Sequence, residues 1–557
     1  MSLFRYNKPG LGNTNSYVVS GVPFVKSGIA PPLNETSAVV NFPRVTNYVV
    51  IKNTNLTNVR LRVTFNNESV VDNTNYFILE GGESFSAELR TTDVHLMSDE
   101  DAPVTFVVTA GLTNIERGEM TSLTPTPPNL LAWVQKEKLV ASGDADPAGD
   151  FFGRVTMTGD GRILAAGASS DEENGGSGAG SVYIFQSGSG GYQQVQKLTA
   201  SGDADPASDR FGDSVSFSST GENVAVGAYR DEENGGSFAG SVYIFQSSSL
   251  GYQQVQKLTA SGDADPGGDQ FGRFVSFSAT GETLAVGAYL DEENGSSAGS
   301  VYIFQSGSGG YQQVQKLTAS GDADPASDTF GIPVSISSTG ETIAIGATGD
   351  EENGGANAGS VYIFQSSSIG YQQVQKLTAS GDADPAVDNF GISVSISSTG
   401  ETLVIGAFVD EENGGGNSFD GAGSVYIFQS GSGGYQQVQK LTASGDADPV
   451  GDWFGYIVSI SSTGETLAVA APYDEENGGG NAFDGAGSVY IFQSGSGGYQ
   501  QVQKLTASGD GDPAGDFFGG SVSISATGET LAVGATSDEE NGSTAGSVYI
   551  FRYTRDY

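Results

Sequence analysis

The sequence predicts an all-β chain in which a jelly-roll-like β-sandwich is followed by a seven-bladed β-propeller closed by its own first strand. Three observations predict it. A segment of about sixty residues, typified by Lys197 to Gln246, recurs seven times with small changes between Trp133 and the C-terminus. Each complete copy carries four short runs of β character and nothing with helical spacing. The residues before the repeats have a different texture, dense in short strands.

Residues 1–34 form an N-terminal arm rich in Gly, Pro, Asn and Ser, with scattered apolar residues such as Phe4, Tyr6 and Phe24. That composition suits both a flexible tail and an extended segment docked on a neighbouring subunit. Residues 35–120 read as strand after strand: SAVVNF, NYVVIKN, NVRLRVTF, NYFILE, ESFSAELR, DVHLMS, VTFVVTA and GLTNI, parted by turn formers such as Asn66-Asn67 and Gly81-Gly82. In Val59 to Phe65 the alternation turns Val59, Leu61, Val63 and Phe65 inward and Arg60, Arg62 and Thr64 outward. About eight strands in so short a segment predict a compact sandwich of the jelly-roll kind. Residues 121–131, with three prolines in TSLTPTPPN, make a semi-rigid extended linker.

Residues 132–557 hold the repeats. In one copy the β-like runs are FGDSVSFS (Phe211 to Ser218), NVAVGA (Asn223 to Ala228), GSVYIF (Gly240 to Phe245) and YQQVQKL (Tyr252 to Leu258). Each is rich in Val, Ile, Phe or Tyr and bounded by Gly, Ser, Asp or Asn. Four antiparallel strands per copy make a propeller blade, because radial packing of twisted sheets buries both faces and leaves only short edges. The coils of a β-solenoid, the competing repeat, are much shorter.

The strand inventory is uneven at its ends. WVQKEKL (Trp133 to Leu139) corresponds to a fourth strand with no first three before it, and the last copy stops at its third, GSVYIF (Gly546 to Phe551). The first strand is therefore expected to complete the last blade beside Val548 to Phe551, which removes an exposed edge. The same alternation sorts the loops. DEENGG (Asp231 to Gly236) and SGDADPASD (Ser201 to Asp209) fall on one face, with six carboxylates per blade, and SSTGE and QSGSGG on the other. The chain enters on the neutral side, so the N-terminal domain is expected under the neutral face and the acidic face outward.

The dipeptides Phe152-Gly153, Phe211-Gly212, Phe271-Gly272, Phe330-Gly331, Phe390-Gly391, Phe454-Gly455 and Phe518-Gly519, each followed by LAVGA or a variant and then GSVYIF, resemble the FG-GAP repeats of the integrin α-subunit propeller. The resemblance covers Trp133 to Phe551. It departs from the family at one place: where the integrin-type calcium loop DxDxDGxxD would stand, this chain has STGET or a relative, as at Ser398 to Thr402, so those ligands do not carry over. In the N-terminal domain the order GVPF, VNFPRVTNYVVI, LRVTF, FVVTAGLTNI resembles the small single jelly rolls that large icosahedral DNA viruses use at capsid vertices and in minor capsid proteins.

The net charge of -42 comes mainly from the DADPxxD and DEEN segments. Such a field repels nucleic acid and anionic membranes and favours cations or basic partners. With no cysteine the fold stands on its cores alone. The N-terminus lacks the apolar stretch of a secretory signal and no run reaches transmembrane length, so membrane insertion is not expected. A particle assembled in the host cytoplasm and released by lysis reconciles this with repeats of a cell-surface kind.

Acidic clusters are the main candidate chemistry. In the DADPxxD segments the first and third aspartates, Asp144 and Asp150, Asp203 and Asp209, Asp263 and Asp269, Asp322 and Asp328, Asp382 and Asp388, Asp446 and Asp452, Asp510 and Asp516, are candidate ligands of Ca2+, with the DEEN aspartate next. A solvated, highly charged turn surface accounts for the same pattern. The single histidine, His95, lies in a strand and reads as an ordinary strand residue, and seven nearly equal blades offer no distinctive pocket to separate the pKa values of a catalytic carboxylate pair. The chain is therefore expected not to be an enzyme. Blades five and six carry the longer loops GGGNSFDGAG and GGGNAFDGAG, which place Phe419 and Phe483 at the acidic face as candidate partner-binding residues or as loop plugs.

These readings converge on a virion structural protein of the capsid vertex, penton or spike type. Its partners are expected to be the major capsid protein or neighbouring virion subunits through the N-terminal domain, and a host-surface glycan or protein through the propeller. A homo-oligomer, pentameric at a vertex, would add avidity. A non-viral adhesin with the same propeller is the alternative.

Overall fold

The structure is a computed structural model. It describes the strands and a few adjoining residues between 23 and 116 and, from 131 to 555, all but 144–145, 173–175, 203–205, 233–235, 263–264, 321–323, 352–354, 381–385, 412–420, 445–449, 476–484 and 509–512. The chain divides into two units, Met1–Asn129 and Leu130–Tyr557.

In the first unit eight strands form two four-stranded sheets. They are β1 (Pro23–Ala30), β2 (Ala38–Asn41), β3 (Arg44–Asn53), β4 (Leu61–Phe65), β5 (Phe77–Leu79), β6 (Ser84–Ala87), β7 (Asp93–Ser98) and β8 (Val104–Glu116). The sheets run β1-β8-β3-β6 and β2-β7-β4-β5. Leu61 and Val63 are fully buried, as alternation requires, together with Val49, Ile51, Val94, Leu96 and Val108. Two sequence expectations are corrected. Pro23–Ala30, placed in the arm, pairs along its whole length with Val104–Gly111. VTFVVTA and GLTNI, read as two strands, are one, because β8 is long enough to hold both β1 and β3. Residues 1–22, and with them Phe4 and Tyr6, lie outside the described residues.

The second unit is seven separate four-stranded antiparallel sheets, one per repeat, in the order first, second, third, fourth strand. Strand β9 (Leu131–Leu139) supplies the fourth strand of the seventh sheet: it pairs with Ser547–Arg555, Leu139 opposite Val548 and Trp133 opposite Tyr553. The pairing is the one the strand inventory predicts, extended by two residues at the start and four at the end. This is the arrangement of a seven-bladed β-propeller.

The cores lie between blades. Seven clusters each combine the third-strand residues of one blade with the first- and second-strand residues of the next. One of them packs Leu139, Val548 and Ile550 against Phe152 and Tyr183, joining blade seven to blade one. Each FG phenylalanine is buried edge-on against the tyrosine of GSVYIF, as Phe211 is on Tyr243 at 5.5 Å. Glycine in the second strand is a packing requirement, since a Cβ on Gly227 would strike the carbonyl oxygen of Gly272 in the next blade.

Polar side chains replace the missing ladder between blades. Ser214 Oγ accepts from the Val275 N–H at 3.0 Å and Ser521 Oγ from the Val155 N–H at 3.0 Å, so the first strands are knitted even across the closure. In the fourth strand a glutamine amide imitates a backbone pair. Gln254 accepts from the N–H of Ser201 and donates to its carbonyl, and Gln256 does the same to Tyr311. Where the other blades use this second glutamine, β9 has Glu137, which accepts from the Tyr192 N–H at 2.7 Å but has no hydrogen to donate to the Tyr192 carbonyl. Glu137→Gln is expected to stabilise the closure by about 0.5–1.5 kcal/mol, read as a higher urea midpoint.

The tyrosine that opens each YQQVQKL strand is 3–7 % exposed and donates its hydroxyl to the glycine carbonyl of the STGE-type turn, as Tyr252 does to Gly221. Burial pushes Tyr192, Tyr252, Tyr311, Tyr435 and Tyr499 up to about 12, and raises Tyr371 as well. Below the ordinary value of 10.0 both folded and unfolded chains keep these protons; between there and 12 only the folded chain does, so stability falls as pH rises. For Tyr192, Tyr252, Tyr311, Tyr435 and Tyr499 the loss is at most about 1.4 kcal/mol per pH unit in that window, reduced by solvent screening. Unfolding in a single alkaline step, with phenolate absorbance appearing together with loss of β-sheet circular dichroism, is the expected result.

Candidate functional site on the acidic face

The loops after the second and fourth strands meet on one face. The Arg230 N–H, just past a second strand, donates to the Asp209 carbonyl in the DADPASD segment at 3.3 Å. The same bond recurs from Ser170 to Asp150, Leu290 to Asp269, Gly349 to Asp328, Val409 to Asp388, Tyr473 to Asp452 and Ser537 to Asp516. All seven of these third aspartates are 1–2 % exposed. The first aspartates, Asp144, Asp203, Asp263, Asp322, Asp382, Asp446 and Asp510, lie outside the described residues, as do Phe419 and Phe483.

The DEEN aspartate has a structural partner that the sequence reading missed. Asp171 is fully buried; it accepts a hydrogen bond from Tyr183 Oη at 2.9 Å and forms a salt bridge with Lys197 Nζ at 2.7 Å, and the ammonium lies over the Tyr183 ring at 5.1 Å. All seven blades repeat this triad, with Lys–Asp distances of 2.7–2.8 Å and Tyr–Asp distances of 2.8–3.0 Å. In blade seven the lysine is Lys138 of β9, paired with Asp538. At least two of the six carboxylates assigned to each blade's acidic face are therefore buried, joined by Glu411 in blade five and Glu475 in blade six, and the DEEN aspartate is neutralised within its blade. Among the described residues no group of three or more carboxylate or imidazole side chains is placed to hold a metal ion. His95 is 7 % exposed in β7, away from this face in sequence and in the other unit.

Around the axis on the acidic side the blades differ. Arg273 of blade three is ion-paired with Asp213 of blade two, which Arg154 of blade one approaches at 3.9 Å. Arg273 also stacks on Tyr229 at 4.6 Å, Arg230 lies over the same ring at 5.3 Å, and Arg210 bonds to Ser170. Burial, reinforced by the guanidinium of Arg154, pushes Arg273 down to about 10, and Tyr456 of blade six acts on it from across the axis. On that far side Trp453 packs on Tyr473 at 4.1 Å, on Phe408 at 4.8 Å and on Tyr456 at 5.8 Å, and Tyr473 packs on Phe517 at 4.7 Å. Trp453, Tyr456, Tyr473, Phe408 and Phe517 are all partly exposed.

Comparison with known proteins gives one family and several distant folds. The FG-GAP repeat family matches seven segments, residues 133–185, 192–245, 252–304, 311–364, 371–428, 435–492 and 499–551. No curated protein matches. Among solved structures, the chain is similar to hydrazine synthase of Kuenenia stuttgartiensis (14 % identity over 76 % of this chain and 100 % of that one, TM-score 0.45). It is also similar to the β-propeller domain of Myceliophteria thermophila Cps50 (Swd1) (12 %, 74 % and 98 %, 0.43) and to the periplasmic gluconolactonase PpgL of Pseudomonas aeruginosa (15 %, 64 % and 85 %, 0.39).

Proposed function

The chain belongs to the FG-GAP repeat family, and from that premise we propose that it is a non-enzymatic structural protein of a virus particle. Its N-terminal unit is built into the capsid at or near a vertex, and its propeller is displayed for attachment to the host surface. The observation that carries this reading is the strand order of the first unit. Sheets running β1-β8-β3-β6 and β2-β7-β4-β5 are what two interlocked Greek keys produce. That order supports a jelly roll, an architecture used in capsid shells and lectins. The propeller suits display because β9 enters it at the end where the third-to-fourth-strand turns lie, leaving the charged loops at the opposite end.

Calcium belongs to the same reading as a secondary proposal. The third aspartate of each DADPxxD segment offers one buried carboxylate, and the first aspartate and the DEEN glutamates would have to supply the rest, since the DEEN aspartate is held by lysine and tyrosine. An equal melting temperature with and without chelator would remove it. The attachment reading is tested by mass spectrometry and antibody labelling of purified particles, with the mass of the isolated assembly. Labelling at vertices and a fivefold mass are expected. Absence from particles, with the protein instead on a cell surface, would favour a non-viral adhesin and overturn the reading.

A further inference from the structure

The seven blades repeat their cores closely, and they also repeat exposed positions that no core explains. Val195, Val255, Val314, Val374, Val438 and Val502, on the outer strands, are 49–56 % exposed and unchanged in six blades. Exposure alone therefore has not let these copies diverge. Divergence is concentrated at the mouth of the axis on the acidic face. At the position before the FG dipeptide the blades carry six residue types, from Arg210 and Gln270 to Trp453. At the position after it they carry five, including Arg273 and Tyr456.

The divergence is sorted by chemistry. Four of the five arginines between residues 133 and 551 stand in blades one to three at this mouth: Arg154, Arg210, Arg230 and Arg273. Asp213 is the carboxylate shared by Arg154 and Arg273, and the sector gathers four guanidinium groups inside a strongly acidic surface. The opposite sector, blades five to seven, holds the aromatic cluster around Trp453. Blade four between them carries small residues, Thr329 and Thr348, bonded to each other.

We propose that this axial mouth binds an acidic sugar, its carboxylate taken by the arginine sector and its ring stacked on Trp453. Guanidinium forks match a carboxylate bidentately, and an aromatic face takes the apolar face of a sugar ring with little loss of freedom because the ring is already held by its neighbours. In a chain of net charge -42, an anionic ligand would find this sector an exception to the repulsion it meets elsewhere. The inference deepens the attachment reading by naming the ligand class and the residues, and rests on it only for the role the binding would serve.

The test titrates the full chain with 3′-sialyllactose, digalacturonic acid and neutral lactose, following ligand saturation-transfer NMR and calorimetry. Binding of an acidic probe at least tenfold tighter than lactose is expected. Arg210→Gln should abolish that preference, Trp453→Ala should weaken binding at least tenfold, and Leu250→Ser, at an 83 % exposed site on the neutral side, should change nothing. If Trp453→Ala lowers the melting temperature, the half-exposed Arg210 carries the test alone. No acidic preference, or a preference that survives Arg210→Gln, overturns the proposal. The two readings fail separately. A chain absent from particles that still selects acidic sugars removes the attachment role only, whereas a vertex protein indifferent to them removes this site only.

Discussion

Lys376→Met is expected to lower the stability of the propeller by about 3–5 kcal/mol, measured as a fall in its urea midpoint. The lysine neutralises Asp350, which is fully buried and also accepts from Tyr362 Oη at 2.8 Å. Removing the ammonium leaves an uncompensated carboxylate beneath the DEEN loop. A charged side chain cannot be hydrated there without opening the blade, so the cost is that of burying a lone ion rather than of losing a surface contact. The decisive comparison is the pair. Asp350→Asn should also destabilise, but Asp350→Asn with Lys376→Met should lie nearer the parent than Lys376→Met alone, because no unpaired charge remains. Additive losses would mean that the two side chains act independently and that the triad is incidental.

The second large effect lies at the closure. A chain beginning at residue 140 should lose more than about 5 kcal/mol: Trp133 and Leu139, 3 % and 7 % exposed, each contribute about 1.5–3 kcal/mol by burial, and Lys138 is the partner of buried Asp538. The Ser547–Arg555 strand, which carries Val548 and Ile550, would become an open edge. Edges of that kind recruit other chains. Light scattering should show aggregates or strand-exchanged dimers, and a monomer that melts like the parent would contradict the role given to β9.

Much of this was legible in the sequence because a repeat copies its grammar. Four apolar runs between fixed turns announce a blade, and a spare fourth strand at Trp133 announces where it must go. The triads were not legible. An aspartate opening a DEEN loop looks like a solvated charge, and its lysine stands in the fourth strand of the blade, Asp171 to Lys197, a separation at which charge pairing has no pattern to read. Only the matching seven-fold recurrence of both residues hinted at it. Strand β1 was hidden for another reason: PFVKSGIA alternates weakly, and its partner lies at Val104 to Gly111, so nothing local specifies it. At the axial mouth the informative residues, Trp453 and Arg273 among them, are those that differ between blades, so no repeat pattern marks them.

The two ends of the propeller meet in one sheet, where β9 pairs with Ser547–Arg555. The chain has no cysteine, so a single engineered pair reports on this without interference. Val134 and Arg552 are direct partners in that pairing. With both replaced by cysteine, mild oxidation should give an intramolecular disulfide in nearly every molecule, with the melting temperature raised and the chain's assembly unchanged. Free thiols that persist in the folded protein, or disulfides found only between chains, would show that the ends do not pair.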